Sequence, residues 1–372
     1  MKWSRTLPFS ADYDLVRMER WHCHFDDASV QSFDVTVRMG KPVDILSLKG
    51  LELGEIRDYA AFLTDAASRL YGGAASRHHL ARCVCCHTPL SGKEEEVLRV
   101  FDVPYVRCQT CGHVLVAEQP APEALSAVFS ESERHSSTYI DYSSIETRLS
   151  QIVNPKVKWC VEQFSVANSG KHPRSVIDVG AGGGHFLAGA ARAGLSVEGF
   201  ELSKASRAFA AEAFGIRLRS EDFLHAEFSA SDLVTFWGLL EYVSNPALFI
   251  AAARRALSDD GLLIVEVPRV DSLSTAVQSI PSAVVARHMD PTSHINAFSD
   301  ESLMTLLVEG GFKPVAAWYF GMDIYESIVQ MALRLGNQTI LESLADFIPR
   351  LQQSVDLGRQ CDDLIVAAVP IA

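Results

Sequence analysis

Two sets of residues in this 372-residue chain have the types and spacing to do chemistry. The first runs Val176-Ile177-Asp178-Val179-Gly180-Ala181-Gly182-Gly183-Gly184-His185-Phe186 and is followed by Gly199-Phe200-Glu201-Leu202. An apolar strand ends in an acid, enters a glycine-rich turn and opens into an Ala-rich helix. Seventeen residues past Gly184, a second apolar run ends at another acid, Glu201. Glycines let the backbone approach a ligand closely and take positive φ. An acid at the tip of the next strand is placed to accept hydrogen bonds from a ribose diol. The pattern therefore predicts a site for a nucleoside-containing cofactor. A dinucleotide turn needs G-x-G-x-x-G, with its third glycine packing helix on strand. Counted from Gly180 that position is His185, so the dinucleotide pattern fails.

The second set is cysteine. Of eight cysteines, four form two C-x-x-C pairs, Cys83/Cys86 and Cys108/Cys111, with 21 residues between the inner two. Two knuckles at this separation are a zinc-ribbon pattern, completing a tetrahedral S4 site with no open position. Cys85 offers an alternative register, and His87 and His113 flank the knuckles as substitute ligands or, more simply, surface residues. A redox dithiol would need one C-x-x-C beside a βαβ unit. A disulfide framework is disfavoured, because Met1-Lys2-Trp3-Ser4-Arg5 lacks the apolar run of a secretion signal. His22-Cys23-His24 is too compact to complete a metal site by itself.

The turn D-x-G-x-G-x-G resembles motif I of class I S-adenosylmethionine (SAM) methyltransferases. The resemblance implies that Asp178, Gly180, Ala181, Gly182 and Gly184 wrap the methionine part of SAM, while Glu201, with Leu202 beside it, holds the ribose side. It places Asp222 near the adenine amino group and Phe223 against the ring. Trp237 and Gly238, ending the next apolar run, complete the implied cofactor set. Gly238-Leu239-Leu240-Glu241-Tyr242-Val243 is similar to the family's "LEHV" segment, with Tyr242 in place of the usual His. Asn245-Pro246 starts a helix ending near Leu257, Ser258-Asp259-Asp260-Gly261 reads as a turn, and Leu262 to Val267 as a strand stopped by Pro268. The resemblance covers about residues 155–320 and continues at the C-terminus. It implies an α/β fold, a doubly wound, seven-stranded and mostly parallel sheet, with an N-terminal zinc ribbon and a small α+β module.

The elements that must position these residues divide the chain into four. Residues 1–80 form a small module, in which Phe33 to Met39 alternates as a half-buried strand. Leu53 to Leu70 reads there as an amphipathic helix closed by Gly72-Gly73. Residues 81–120 are the zinc-ribbon module. Residues 121–154 are a helical connector containing Tyr139 and Tyr142, since comparable tyrosines in the family touch the SAM carboxylate or close over the site. Residues 155–372 are the SAM-binding domain, with a helical insertion at about 321–362 and Leu364 to Val369 as a last, antiparallel strand. After Pro268 the alternation lapses for about thirty residues, on the side where open α/β sheets bind ligands. This segment carries His288 and His294, the first candidates for a general base or substrate ligand, because imidazole titrates near neutrality. Tyr242 and Glu241 are second choices. Ser299 reads as a helix N-cap.

Composition limits the partners. With 48% hydrophobic and 21% charged residues the chain has the balance of a globular protein. No stretch approaches a membrane span, and a cytoplasmic location is expected. A net charge of −13 counts against a dedicated nucleic-acid binder. A homodimer stays open. A zinc ribbon ahead of a class I domain resembles the deoxysugar C-methyltransferases from about residue 81 to 320. That family carries a further large C-terminal α/β domain, whereas some fifty residues remain here. The resulting expectation is SAM-dependent methyl transfer to oxygen or carbon of a small-molecule acceptor (sugar, nucleotide-sugar or natural product), with structural Zn2+. Two alternatives stand beside it: a ribosomal RNA base methyltransferase with a zinc module, and a non-catalytic SAM-fold partner protein. The acidic composition opposes the first, and intact Asp178, Gly180, Gly182 and Glu201 oppose the second.

Overall fold

The computed structural model describes the whole chain except residues 7–14, 26–28, 42–44, 46–47, 49–52, 74–75, 122, 126–139, 281–282 and 372. The chain opens with strands β1 (Lys2–Thr6), β2 (Val16–His24) and β3 (Val30–Met39), paired antiparallel. In β3 every second residue (Phe33, Val35, Val37, Met39) is buried, the period of a strand with one face on a core. Trp21 and Cys23 of β2 are buried too, whereas His22 and His24 bond Ser32 and Ser4. The His-Cys-His run therefore alternates across the strand and does not converge on a metal. Helix α1 (Leu53–Tyr71) buries Ile56, Ala60, Leu63, Ala67 and Leu70, a helical-period stripe.

Strand β4 (Arg77–His79) pairs with β8 (Glu118–Pro120) and ties together the two ends of the cysteine module. Between them β5 (Glu95–Val100), β6 (Val103–Arg107) and β7 (Val114–Leu115) form an antiparallel meander. A fourth strand, β13 (Asn296–Ala297), pairs with β7, so this small sheet takes one member from the segment after Pro268.

The main sheet uses β9 (Ser175–Val179), β10 (Ser196–Phe200), β11 (Ser231–Trp237), β12 (Leu257–Pro268), β14 (Phe312–Phe320) and β15 (Asp363–Pro370). Its order is β1-β2-β3-β14-β15-β12-β11-β9-β10. Among the described residues the sheet thus has nine strands where seven, mostly parallel, are expected. Parallel pairing holds through β10, β9, β11 and β12 and again between β14 and β3; the other pairings are antiparallel. Two causes produce the difference. The N-terminal strands extend the β14 edge, and the short run before Asp222 makes only an isolated bridge, Phe200 with Arg219. The expected turn at Ser258–Gly261 is instead part of β12, with a register shift against β11 at Ser231/Leu233.

Helices cover both faces. On one side α2 (Asn154–Ala167) and α3 (His185–Arg192) pack through Trp159, Phe164 and Leu187. On the other, α5 (Pro246–Ala256) and α7 (Asp300–Glu309) pack through Ile250, Leu303 and Leu307, and Trp21, Val35 and Val37 join the same core. Helix α4 (Lys204–Phe214) follows β10, and α6 (Leu273–Gln278) precedes the long loop to β13. Helices α8 (Asp323–Leu335), α9 (Thr339–Leu344) and α10 (Ile348–Leu357) form the expected insertion before β15. Leu262 to Val267 are almost wholly buried, as a strand covered on both faces requires. Among the described residues, no helix is long and apolar enough to cross a membrane.

Candidate active site and metal centre

The β9–α3 turn has the backbone that its glycines allow. Gly180, Gly182 and Gly184 take φ of 72°, 51° and 76°, a left-handed region that side chains rarely occupy. A Cβ on Gly184 would lie 2.9 Å from Ala210 Cβ. His185 begins α3 and packs on Phe209 and Phe214, with centroids at 5.5 and 5.1 Å. An aromatic stack thus fills the place where a dinucleotide turn needs its third glycine. The backbone N–H groups of Gly180 and Ala181 donate to the Phe200 carbonyl at 2.9 and 3.0 Å. Glu201 accepts from Gly182 N at 2.8 Å and from Ser203 N at 2.7 Å. The second acid is therefore locked between the turn and the start of α4, with its carboxylate edge beside the glycines. Leu202, next to it, is 62% exposed, a large apolar side chain left uncovered beside the turn.

Several buried polar atoms converge at the same strand tips. Asp178 is 1% exposed. One carboxylate oxygen accepts from Thr235 Oγ1 at 2.7 Å, and the other is buried with no partner among the described residues. Burial pushes this carboxyl up to about 7. Trp237 Nε1 and one oxygen of Glu241 are likewise buried and unpaired, and burial raises the Glu241 carboxyl to about 8. Orphaned donors and acceptors are costly, and a polar ligand entering here would satisfy them. Phe186 packs on Trp237 at 4.7 Å, and Lys156 lies 4.6 Å over the Trp237 ring while ion-paired with Glu266. Lys156 carries no motif signal in the sequence. Asp222 caps its own turn, accepting from Leu224 N at 2.9 Å, and Phe223 is buried among Phe200, Phe228, Phe236 and Phe249.

The loop after β11 lies on the glycine turn: a Cβ on Gly180 would stand 3.1 Å from Leu239 Cδ1. Three residues on, Tyr242 Oη is 3.2 Å from His294 Nε2, with the rings edge to face at 5.0 Å. His294 Nδ1 is 2.6 Å from the His288 carbonyl oxygen. A carbonyl only accepts, so Nδ1 carries the proton and Nε2 accepts from the Tyr242 hydroxyl. Burial holds His294 down near 4, hence neutral at physiological pH. His288 is held low by burial too, and its Nε2 lies 2.8 Å from the Arg269 carbonyl. The structure thus brings His294 and Tyr242 together and turns the His288 ring toward backbone. Asn296 is the missed member of this group. Its Nδ2 donates to Leu240 O at 3.1 Å and Val243 O at 2.8 Å, and its backbone N donates to Glu241 O at 3.1 Å. In the sequence its only signal is its place in the run His294-Ile295-Asn296-Ala297-Phe298-Ser299. Tyr142 packs on Phe209 at 4.7 Å, while Tyr139 lies outside the described residues.

The four knuckle cysteines meet. Sγ atoms of Cys83, Cys86, Cys108 and Cys111 all lie within 4.8 Å of one another, and Cys83–Cys111 and Cys86–Cys108 are 3.6 Å apart. A tetrahedron with Zn–S bonds of about 2.3 Å has edges of about 3.8 Å, so the sulfur positions fit the ion. Gly112 follows Cys111 with φ 72°, and His87 takes φ 56° just past Cys86. His113 is fully buried rather than on the surface, packed on Phe298 at 4.8 Å with Nε2 3.3 Å from Asn296 Oδ1.

Residues 157–317 match the family model described as a methyltransferase domain. No curated protein sequence matches the chain. Among solved structures, the plantazolicin methyltransferase BpumL in complex with SAH is 14% identical, with TM-score 0.44, over 68% of this chain and 95% of that one. Magnesium protoporphyrin IX methyltransferase (ChlM) from Synechocystis PCC 6803 with bound SAH is 13% identical, with TM-score 0.44, over 67% and 100%. A SAM-dependent methyltransferase from Geobacter sulfurreducens is 20% identical, with TM-score 0.37, over 56% and 90%. The family match spans the segment that holds the glycine turn, Glu201, Tyr242 and His294, and identifies residues 157–317 as a methyltransferase domain.

Proposed function

We propose that the chain methylates an oxygen or carbon of a small-molecule acceptor (a sugar, nucleotide-sugar or natural product) and that the four cysteines hold a structural zinc ion. The observation that carries the acceptor side is the hydrogen-bonded pair Tyr242–His294, on a loop lying against the glycine turn. Bound SAM supplies an electrophilic methyl group, and displacement at that carbon is limited chiefly by alignment. The chain's part is to hold the cofactor with Asp178, the 180–184 turn and Glu201, and to receive the acceptor's proton. Tyr242 Oη is the atom that an acceptor hydroxyl would meet. As Oη takes up that proton it passes its own to His294 Nε2, while the His288 carbonyl keeps the ring oriented. An acceptor that gains a methyl group without losing a proton needs only the alignment.

In this reading the chain comprises a module at residues 1–80, the ribbon at 81–120, the connector at 121–154 and the methyltransferase domain from 155 onward. The zinc has no catalytic part in this reading, since four thiolates leave no open position. A net charge of −13 keeps RNA in second place as acceptor. The deciding experiment is calorimetric titration of metal-quantified protein with SAM and with S-adenosylhomocysteine, followed by an acceptor screen on sugars and natural products. Micromolar binding and about one zinc per chain support the proposal. A protein that binds neither nucleoside would put the non-catalytic partner reading first.

A further inference from the structure

A cleft of about 600 Å³ lies between β1–β2 and the first turn of α7. Arg5, Arg17, Arg269 and Arg359 line it. Two buried carboxylates answer these four cations. Asp300 accepts from Arg5 at 2.5 Å and from Arg269 at 2.7 Å; Glu19 accepts from Arg17 at 2.7 Å and from Arg359. Both acids are already served by neutral donors as well, Tyr319 Oη on Asp300 and Trp21 Nε1 on Glu19, each at 3.0 Å. The Arg359 and Cys361 carbonyls also accept from Arg269 Nη1, at 2.8 and 2.7 Å, and the guanidinium donors still outnumber these acceptors. Each guanidinium has five N–H groups, and Arg359 Nε is buried with no partner among the described residues.

The surroundings extend the bias. A neighbouring cavity of about 330 Å³ adds Lys2 and Arg107. The rim acids Asp271 and Glu301 are more exposed, and Asp271 lies 3.8 Å from Arg107. Six cations thus face four carboxylates, in a chain whose net charge is −13. Arg359 takes φ 53°, a conformation that costs energy outside glycine. It is held there with its guanidinium 4.7 Å over the Tyr319 ring. Trp3, Met304 and Leu357 give the cleft one apolar wall. Arg17 and Glu19 stand on β2, five strands from β11 in the sheet order, about 24 Å away at ~4.8 Å per strand; Arg269, whose carbonyl lies 2.8 Å from His288 Nε2, forms the side of the cleft toward the methyl-transfer loop.

We propose that this cleft is a second ligand site, separate from the methyl-transfer site, for a phosphate- or diphosphate-bearing small molecule whose organic part lies along Trp3. Guanidinium forks match phosphate oxygens in pairs, and the surplus of buried N–H donors is what such a group would satisfy. The site does not depend on the acceptor reading above.

The test uses the full-length protein with inorganic phosphate, pyrophosphate, uridine diphosphate and uridine, followed by tryptophan fluorescence and thermal shift. Pyrophosphate and uridine diphosphate should bind, and uridine should not; tighter binding of the nucleotide than of pyrophosphate assigns the ligand an organic part on Trp3. Arg17→Ala and Arg359→Lys should each weaken binding at least tenfold while SAM affinity stays unchanged, which also reports that the variant is folded. In the unsubstituted protein, pyrophosphate should protect Arg17 and Arg359 from modification by phenylglyoxal, as mapped by mass spectrometry. No binding up to millimolar pyrophosphate, or binding that neither depends on nor protects these arginines, overturns the proposal.

Discussion

At Asp178 the proposed role in cofactor binding and the requirements of stability oppose each other. The buried carboxyl titrates near 7, against 3.8 for an ordinary aspartate. Between about pH 4 and 7 the unfolded chain ionises this group while the folded protein keeps its proton. Folding stability is therefore lost as pH rises through that window, by a few kcal/mol at roughly 1.4 per unit. Asp178→Asn should raise the melting temperature at pH 8, leave it nearly unchanged at pH 4, and abolish SAM binding. An Asn variant that binds SAM normally would remove Asp178 from the cofactor site. Glu201→Ala should also abolish SAM binding, because it frees the Gly182 and Ser203 N–H groups that position the turn; zinc content should not change. His294 has the opposite sign. Its folded-state value near 4 lies below 6.5, so stability falls as pH drops from 6.5 toward 4, where only the unfolded chain takes up the proton. His294→Gln should flatten a plot of melting temperature against pH over that window. Tyr242→Phe should lower kcat about 10²-fold or more with a hydroxyl acceptor while SAM affinity holds. Equal kcat in the Phe variant would assign the proton to another group.

Among the elements, Asn296 shows how a strand too short to be noticed positions the site. From β13 it spans the Leu240 and Val243 carbonyls, fixing the loop that carries Tyr242. Asn296→Ala leaves two carbonyls without that donor, at a cost of about 1–3 kcal/mol. It should lower both the melting temperature and kcat, with SAM affinity little changed; loss of stability without loss of kcat would make Asn296 purely structural. The sequence made the glycine turn legible because only glycine tolerates three positive φ angles within five residues. It made α5, α7 and β15 legible because their caps and periods are local. Three things were illegible: the pairing of β3 with β14, the insertion of β13 beside β7, and the orphaned Trp237 Nε1. Each depends on partners far away in the chain, and alternation along Phe33 to Met39 reveals a strand without revealing its neighbour. The same limit applies to His113, which reads as a polar residue beside a knuckle and is buried by Phe298 nearly two hundred residues away.

For the whole molecule, the cysteine module and the methyltransferase domain share a sheet. Strand β7 begins three residues after Cys111 and pairs with β13, and β13 runs between His294 and the Ser299 cap of α7. Tyr105 on β6 donates to the His294 carbonyl at 2.8 Å, and His113 sits against Asn296. Anything that loosens the four-sulfur cluster therefore loosens the backbone on either side of His294. Cys108→Ser should reduce bound zinc from about one per chain to near zero. Structural zinc contributes folding free energy directly, so the melting temperature should fall by several degrees or more. Activity should fall along with the zinc even where the protein stays folded, because the loop bearing Tyr242 and His294 loses its backing. The glycine turn follows β9 and meets the seam only through Leu239, and SAM affinity should fall least. Removing zinc from the unsubstituted protein with a chelator should reproduce the same order of losses, read by calorimetry for SAM and by turnover for the acceptor. A zinc-free protein with full turnover would show that the ribbon stands apart from the site, and equal loss of SAM binding and turnover would show that zinc supports the domain as a whole.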